Sequence, residues 1–188
     1  MLSFKEFLLE LSVKHATDFA TKAHAGQIRK SSGEPYVMHP TAVYSFLRTL
    51  GVKDRNVLVS AMLHDTIEDS PATHNKLKSE FNKDVARIVS GLSSSKKGIK
   101  ALGKPAYLAQ KMMKMDSEVL TIKLADRWHN LQDMGDMPAT KSKKYMDQTE
   151  YIIQELRAKK QLNKTQKKII KKIEQTMKKF GHIPVVID

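Results

Sequence analysis

A chain of 188 residues with 40% hydrophobic content suits one globular domain with a substantial core and is too apolar for a disordered protein. It has no cysteine, which excludes disulfides and thiolate metal sites, and no run of the roughly 18 apolar residues that a membrane span needs. The net charge is +13 and is unevenly placed, with 13 Lys/Arg against 4 Asp/Glu from Lys141 through Phe180. Such a basic stretch attracts nucleotides and nucleic acid, although a solvated face that keeps the protein soluble is its more ordinary explanation. The start, Met1-Leu2-Ser3-Phe4-Lys5-Glu6, lacks the basic opening and apolar run of a signal peptide, so a cytoplasmic protein without membrane partners is expected.

Taken in chain order, nearly every periodic stretch reads as helix. Ser3-x-x-Glu6 is a capping box, and Phe4, Phe7, Leu8, Leu11 and Phe19 keep helical spacing until Gly26. A polar loop over Gln27 to Met38 follows. Pro40 suits a first helical turn, and that helix carries Val43, Phe46, Leu47 and Leu50 to Gly51. Asp54 or Asn56 can cap the next, which carries Val57, Leu58, Ala61 and Met62 and brings His64 and Asp65 to its C-terminal end. Thr73 opens a helix through Leu77, Phe81, Val85, Ile88 and Val89, and Ser93 to Pro105 reads as a small, basic loop. Asp116 or Ser117 caps a helix with Val119, Ile122, Ala125 and Trp128. Two basic helices, roughly 139–160 and 163–180, are followed by an extended Ile183 to Ile187. The expected fold is all-α: one domain over 1–188, with a basic helical C-terminal part at about 139–180 and a central cleft between helices.

His39, the pair His64-Asp65, and Asp126 form a mixed nitrogen and oxygen donor set of the kind that suits a divalent first-row metal with open positions. On a helix, His64 and Glu68 share a face, as do Asp65 and Asp69, so one helical end can offer two ligands and two more carboxylates to one cavity. Asp126 interrupts the apolar stretch Val119 to Ala125, where a carboxylate is costly to bury without a cation or hydrogen bonds. Singly, each of these residues is more ordinarily a cap or a surface group. Their grouping carries the reading of metal-assisted hydrolysis.

These residues resemble the H…HD…D signature of the HD metal-dependent phosphohydrolases. Four segments bring the likeness closer: His24-Ala25-Gly26-Gln27-Ile28-Arg29-Lys30, Glu34-Pro35-Tyr36-Val37-Met38-His39-Pro40, His64-Asp65-Thr66-Ile67-Glu68-Asp69, and Ile122-Lys123-Leu124-Ala125-Asp126-Arg127-Trp128-His129-Asn130. In that order, over about Ala16 to Met134, they look like the hydrolase domain of the Rel/Spo family, which removes the 3′ pyrophosphate from ppGpp and pppGpp. The resemblance implies that His39, His64, Asp65 and Asp126 hold manganese or another divalent ion. It also implies that Glu68 and Asp69 position or deprotonate the attacking water. Arg29 and Lys30 would meet the nucleotide, with Arg29 on the guanine, and Asn130 would lie near the nucleoside. A guanidinium plane stacks on a base and complements phosphate, and a carboxylate can act as general base, so the residue types suit those roles.

The chain departs from the pattern after Asp126, where Gln132 and Asp133 replace an Arg and a Thr; an Asp133 facing the cleft would repel polyphosphate. The family's later Tyr motif is indistinct, with Tyr151 out of register. No synthetase domain follows in these 188 residues, so a stand-alone small alarmone hydrolase is expected. Gly98 to Pro105 nearly fits a phosphate-binding P-loop, but Pro105 stands where that motif needs Ser or Thr, and no strand precedes it. Two other readings remain open. One is a phosphohydrolase of an adenosine alarmone or NADPH. The other is a non-catalytic module binding nucleic acid or protein, which the basic segment motivates; only Tyr145, Tyr151 and Phe180 supply aromatics there for base stacking. The oligomeric state is not encoded in any motif.

Overall fold

Side-chain caps start several helices where the sequence places them. The Ser3 hydroxyl accepts the Glu6 N–H while the Glu6 carboxylate accepts the Ser3 N–H, closing the expected box at the head of α1 (Phe4–Ala23). Asp54 accepts the Val57 N–H at 2.9 Å and starts α3 (Arg55–Leu63). Asn163 and Gln166 form a second capping box at α11 (Lys164–Lys179). The computed structural model describes residues 3–135 and 137–182. The extended tail expected over 183–187 lies outside the described residues. The regular elements of the described residues are all helices, apart from one isolated antiparallel bridge between Ile28 and Pro35, so the fold is all-α. No helix of the described residues is long and apolar enough to cross a membrane.

The chain divides into two compact units, Met1–Ser93 and Ser94–Asp188. The first holds α1, α2 (Met38–Thr49), α3, α4 (Thr66–Asp69), α5 (His74–Glu80) and α6 (Lys83–Leu92). Helix α3 packs against α1, α2 and α6. All its residues from Val57 to Leu63 are buried, as expected of a helix without a solvated face. Ala16 and Ala20 of α1 and Val85, Ala86 and Val89 of α6 meet Val59, Met62 and Leu63 of α3 in one apolar cluster. The two alanines let α1 approach closely, and each large side chain buried there contributes about 1.5–3 kcal/mol.

The second unit holds α7 (Lys96–Leu102), α8 (Lys104–Lys114), α9 (Ser117–Gln132), α10 (Ala139–Lys159) and α11. Helix α9 packs against α11, and α8 packs against α10 and α7. The amide of Gln166 donates to the Ser117 carbonyl at 3.0 Å, and that of Gln132 donates to the Thr176 hydroxyl at 2.8 Å, so polar bonds tie both ends of α9 to α11. Gln132 is thereby engaged in packing.

Three local expectations change. The helix expected from Thr73 through Val89 is two helices. Asn82 breaks it because its side chain accepts the N–H groups of Asp84 and Val85 and starts α6 anew. The segment Ser93 to Pro105, expected as loop, contains α7, which Ser95 caps by accepting the Gly98 N–H. Gly98 serves packing there rather than phosphate binding, since a side chain at that position would overlap the Tyr107 ring. His64 and Asp65 do lie at the C-terminal end of their helix, but the helical turn does not continue unbroken through Glu68 and Asp69. His64 is the C-cap of α3, and Asp65 is the N-cap of the short α4.

Candidate metal centre and catalytic carboxylates

In the first unit the break between α3 and α4 sets the geometry. The Thr66 hydroxyl donates to the Leu63 carbonyl at 2.7 Å, satisfying an acceptor that the ending helix would leave open. The N–H groups of Glu68 and Asp69 both donate to the Asp65 carbonyl, at 3.1 and 2.8 Å. Leu63 and Thr66 are fully or nearly buried, and His64 is 1% exposed.

The tautomer of His64 follows from its neighbour. Nδ1 lies 2.8 Å from the Ala61 carbonyl, which can only accept, so Nδ1 carries the proton and Nε2 presents its lone pair. That Nε2 is 3.1 Å from Nε2 of His39, itself buried in the first turn of α2. Oδ2 of Asp65 lies 3.0 Å from Nε2 of His64 and 3.6 Å from Nε2 of His39. His39 Nε2, His64 Nε2 and Asp65 Oδ2, all on buried or half-buried groups, thus converge. A divalent cation, bound by neutral imidazole and ionised carboxylate, satisfies all three at once. The donor chemistry of His39, His64 and Asp65 therefore fits a metal.

Around this trio stand Tyr36, His24 and Gln27, polar residues of the first two matching segments to which the sequence assigns no role. The Tyr36 hydroxyl donates to Oδ2 of Asp65 at 2.7 Å and lies 3.4 Å from Oδ2 of Asp69. The Tyr36 ring lies against buried His24, with centroids 4.7 Å apart, and meets the His39 ring at 5.9 Å and 71°. Nδ1 of His24 donates to the Gln27 side-chain oxygen at 2.9 Å, and the Gln27 amide donates to the Asp69 carbonyl at 2.7 Å. His24, Gln27 and Tyr36 thus brace the trio and the α4 carboxylates together. The signal for them was present in the polar residues of the first two matching segments, but contacts spanning 42 residues, such as Gln27 to Asp69, have no periodicity to betray them.

Glu68 and Asp69 sit exposed on α4. Partial desolvation, and then the like charges of Asp65 and Glu68, hold the Asp69 carboxyl above the usual carboxylate range; His24 and the Tyr36 hydroxyl oppose this. A carboxyl with a raised pKa is a better proton acceptor. Arg29 has its guanidinium 6.0 Å from the Tyr36 ring centroid. The turn that carries it is closed by the Gly33 N–H donating to the Arg29 carbonyl at 2.8 Å, with Gly33 at φ 73, a conformation that favours glycine. Lys30 is exposed on the same turn.

Asp126 belongs to the second unit. It is 5% exposed on α9. Oδ2 accepts from the Lys123 ammonium at 2.9 Å and Oδ1 from the Asn130 amide at 2.6 Å. The expected cost of burying this carboxylate is thus met by its own helix, at positions three before and four after. Asn130 also hydrogen-bonds the Tyr145 hydroxyl, whose pKa burial pushes up against the opposing charge of Arg127. Arg127, 3% exposed, lies with its guanidinium 4.8 Å from the Tyr145 ring centroid and donates to the Thr149 hydroxyl at 2.7 Å. The sequence offers Tyr145 only as an aromatic for base stacking and gives Lys123 no role, while Tyr151, near the position of the family's Tyr motif, is exposed. Asp133 lies 3.7 Å from Nδ1 of His129, one turn back on the same helix.

A family model described as HD domain matches residues 16–162. A guanosine-3′,5′-bis(diphosphate) 3′-pyrophosphohydrolase of Haemophilus influenzae is 40% identical over 136 residues, which cover 69% of this chain and 20% of that protein. The bifunctional (p)ppGpp synthase/hydrolase SpoT of Escherichia coli is 40% identical over 136 residues, covering 69% of this chain and 19% of that protein. The chain thus spans about a fifth of the length of these curated relatives. Among solved structures, one described as a metazoan ortholog of SpoT that hydrolyzes ppGpp superposes with a TM-score of 0.76 at 23% identity, covering 97% of this chain and 99% of that one, and so shares the fold.

Proposed function

Because the chain belongs to the HD domain family, we propose that its two units act as one phosphohydrolase domain that removes pyrophosphate from the 3′ position of ppGpp and pppGpp. The observation that carries this reading is the meeting of His39 Nε2, His64 Nε2 and Asp65 Oδ2 beside the two carboxylates of α4. The names of the two bacterial relatives give the substrate class. In this reading Asp126 completes the ligand set, and the ion is manganese. When bound, a divalent ion acidifies water and neutralises charge that develops on phosphoryl oxygens.

The chain's own residues then have distinct tasks. Asp69, tied through the Tyr36 hydroxyl to the ligand Asp65, takes the proton of the attacking water. Glu68, its neighbour on α4, orients that water. Water attacks the phosphorus bonded to the 3′ oxygen; the P–O bond to the ribose breaks, the 3′ oxygen recovers a proton, and GDP or GTP leaves with pyrophosphate. Arg29 stacks on the guanine, and Lys30, exposed on the same turn, meets phosphate. Asn130 orients Asp126 and lies near the nucleoside.

The test is incubation with ppGpp and manganese, followed by anion-exchange chromatography. GDP plus pyrophosphate, abolished by EDTA, is the expected result. Untouched ppGpp with metal demonstrably bound overturns the substrate assignment.

A further inference from the structure

Helices α2 and α3 carry the candidate metal ligands at one end only. His39 opens α2 and Arg48 lies in its last turn; Arg55 opens α3 and His64 caps its end. Nine residues separate the members of each pair, or about 13 Å at 1.5 Å per residue. At the end away from the histidines, beside the start of α1, lies a cavity of about 580 Å³.

Its lining is strongly unbalanced in charge. Lys5, Arg48, Lys53 and Arg55 face it, all exposed, and none makes an ion pair or side-chain hydrogen bond among the described residues. Glu6 is the one carboxylate in the lining, and it is committed to the Ser3 cap; those hydrogen bonds, and then the fields of Arg48 and Lys53, hold it below the usual carboxylate range. Asp54, between Lys53 and Arg55, is committed to capping α3. The remaining wall is apolar: Leu8, Leu9 and Val52. Four unpaired cations around one concavity repel one another, and a multivalent anion relieves that repulsion. The volume falls within the range of small-molecule sites, about 300–1,000 Å³, and an apolar wall beside convergent charges is the usual composition of such a site.

We propose that this cavity is a second ligand site, separate from the candidate metal centre, that binds a small nucleotide. The phosphates lie against Arg48, Lys53 and Arg55, and the ring lies against Leu8, Leu9 and Val52. Guanidinium groups suit phosphate through paired N–H donors, and Lys53 and Lys5 add point charges.

Calorimetric titration of the full chain with GDP in EDTA tests this whether or not the hydrolase reading holds. The wild type binds GDP, guanosine fails to bind, and added salt weakens the GDP isotherm. The double variant Arg48→Ala/Lys53→Ala lowers GDP affinity at least about tenfold, and Lys5→Ala/Arg55→Ala does so independently; Lys144→Ala, an exposed position on α10, leaves it within about twofold. Circular dichroism confirms that each variant is folded. GDP affinity lost in Arg29→Ala and unchanged in both double variants overturns the proposal, because the nucleotide is then held at the metal centre. Absence of GDP binding to the wild type overturns it as well. So does binding of anionic phospholipid vesicles without GDP binding, which would make the basic end a membrane surface.

Discussion

The hydroxyl of Tyr36 donates to the Asp65 oxygen that also lies 3.0 Å from His64 Nε2. A metal ligand whose outer lone pair is already fixed by a donor keeps its carboxylate in one rotamer, and partners of this kind typically carry about 10–100-fold in metal affinity or activity. Tyr36→Phe keeps the ring against His24 and deletes only the hydroxyl. It should weaken manganese binding and kcat by a factor in that range while Tm barely moves. Manganese titration followed by paramagnetic resonance, with turnover measured alongside, checks this; unchanged affinity and kcat would show that the hydroxyl has no positioning role.

On the proposed reading Asp69, as the general base, sets the acid side of the pH profile. Its raised pKa means that the base is lost to protonation at a higher pH than for an ordinary carboxylate, so kcat/KM should fall earlier on acidification. Asp69→Asn should remove most activity together with that acidic limb. The stability effect has the opposite sign to the activity effect. A carboxyl that binds its proton more tightly when folded adds stability at low pH and loses that contribution as pH rises through the folded value. The Asn variant should therefore melt no lower than the wild type at neutral pH, and a clear drop in its Tm would contradict the assigned environment.

Metal removal should be legible without any substrate. An ion that binds only the folded chain stabilises it by about 2.7 kcal/mol at a free concentration of about a hundred times Kd. Thermal melts with manganese and with EDTA should differ by several degrees in the wild type. They should coincide in Asp65→Ala, which keeps the fold and loses both metal and turnover. A manganese-dependent shift that persists in Asp65→Ala would place the ion elsewhere.

Gln132 should prove structural. Its amide ties α9 to Thr176 of α11, and the Thr176 hydroxyl keeps its own acceptor, the Lys172 carbonyl. Gln132→Ala should cost about 1 kcal/mol, a fall in Tm of about 2–4 °C, with kcat/KM for ppGpp preserved. A selective loss of activity at unchanged Tm would return this position to the substrate.

Much of the helix pattern was legible because caps and apolar spacing are local signals. Ser3-Glu6, Asp54 and the two basic C-terminal helices lie where the sequence places them. Asn82 was passed over because Leu77, Phe81, Val85 and Ile88 keep helical spacing across the break, so the period hid the cap. The run after Ser93 misled through its glycines, one of which makes room for a tyrosine ring. Among the site residues, His39, His64 and Asp65 meet at one point. The residues that hold them, Tyr36, His24 and Gln27, are not legible as site residues in the sequence, because a hydrogen bond between a loop and a helix end is a property of the folded chain alone.

Lys123 gives Asp126 a cation of its own. A carboxylate this deeply buried would otherwise depend on whatever ion the surroundings supplied. With the ammonium in place its charge is neutralised by the polypeptide itself, three residues away on the same helix. Lys123 is in effect a placeholder, so the second unit need not await metal to complete its folding. On the proposed reading, loading an ion against Asp126 exchanges one positive charge for another, and removing metal is expected to stop turnover without unravelling the second unit.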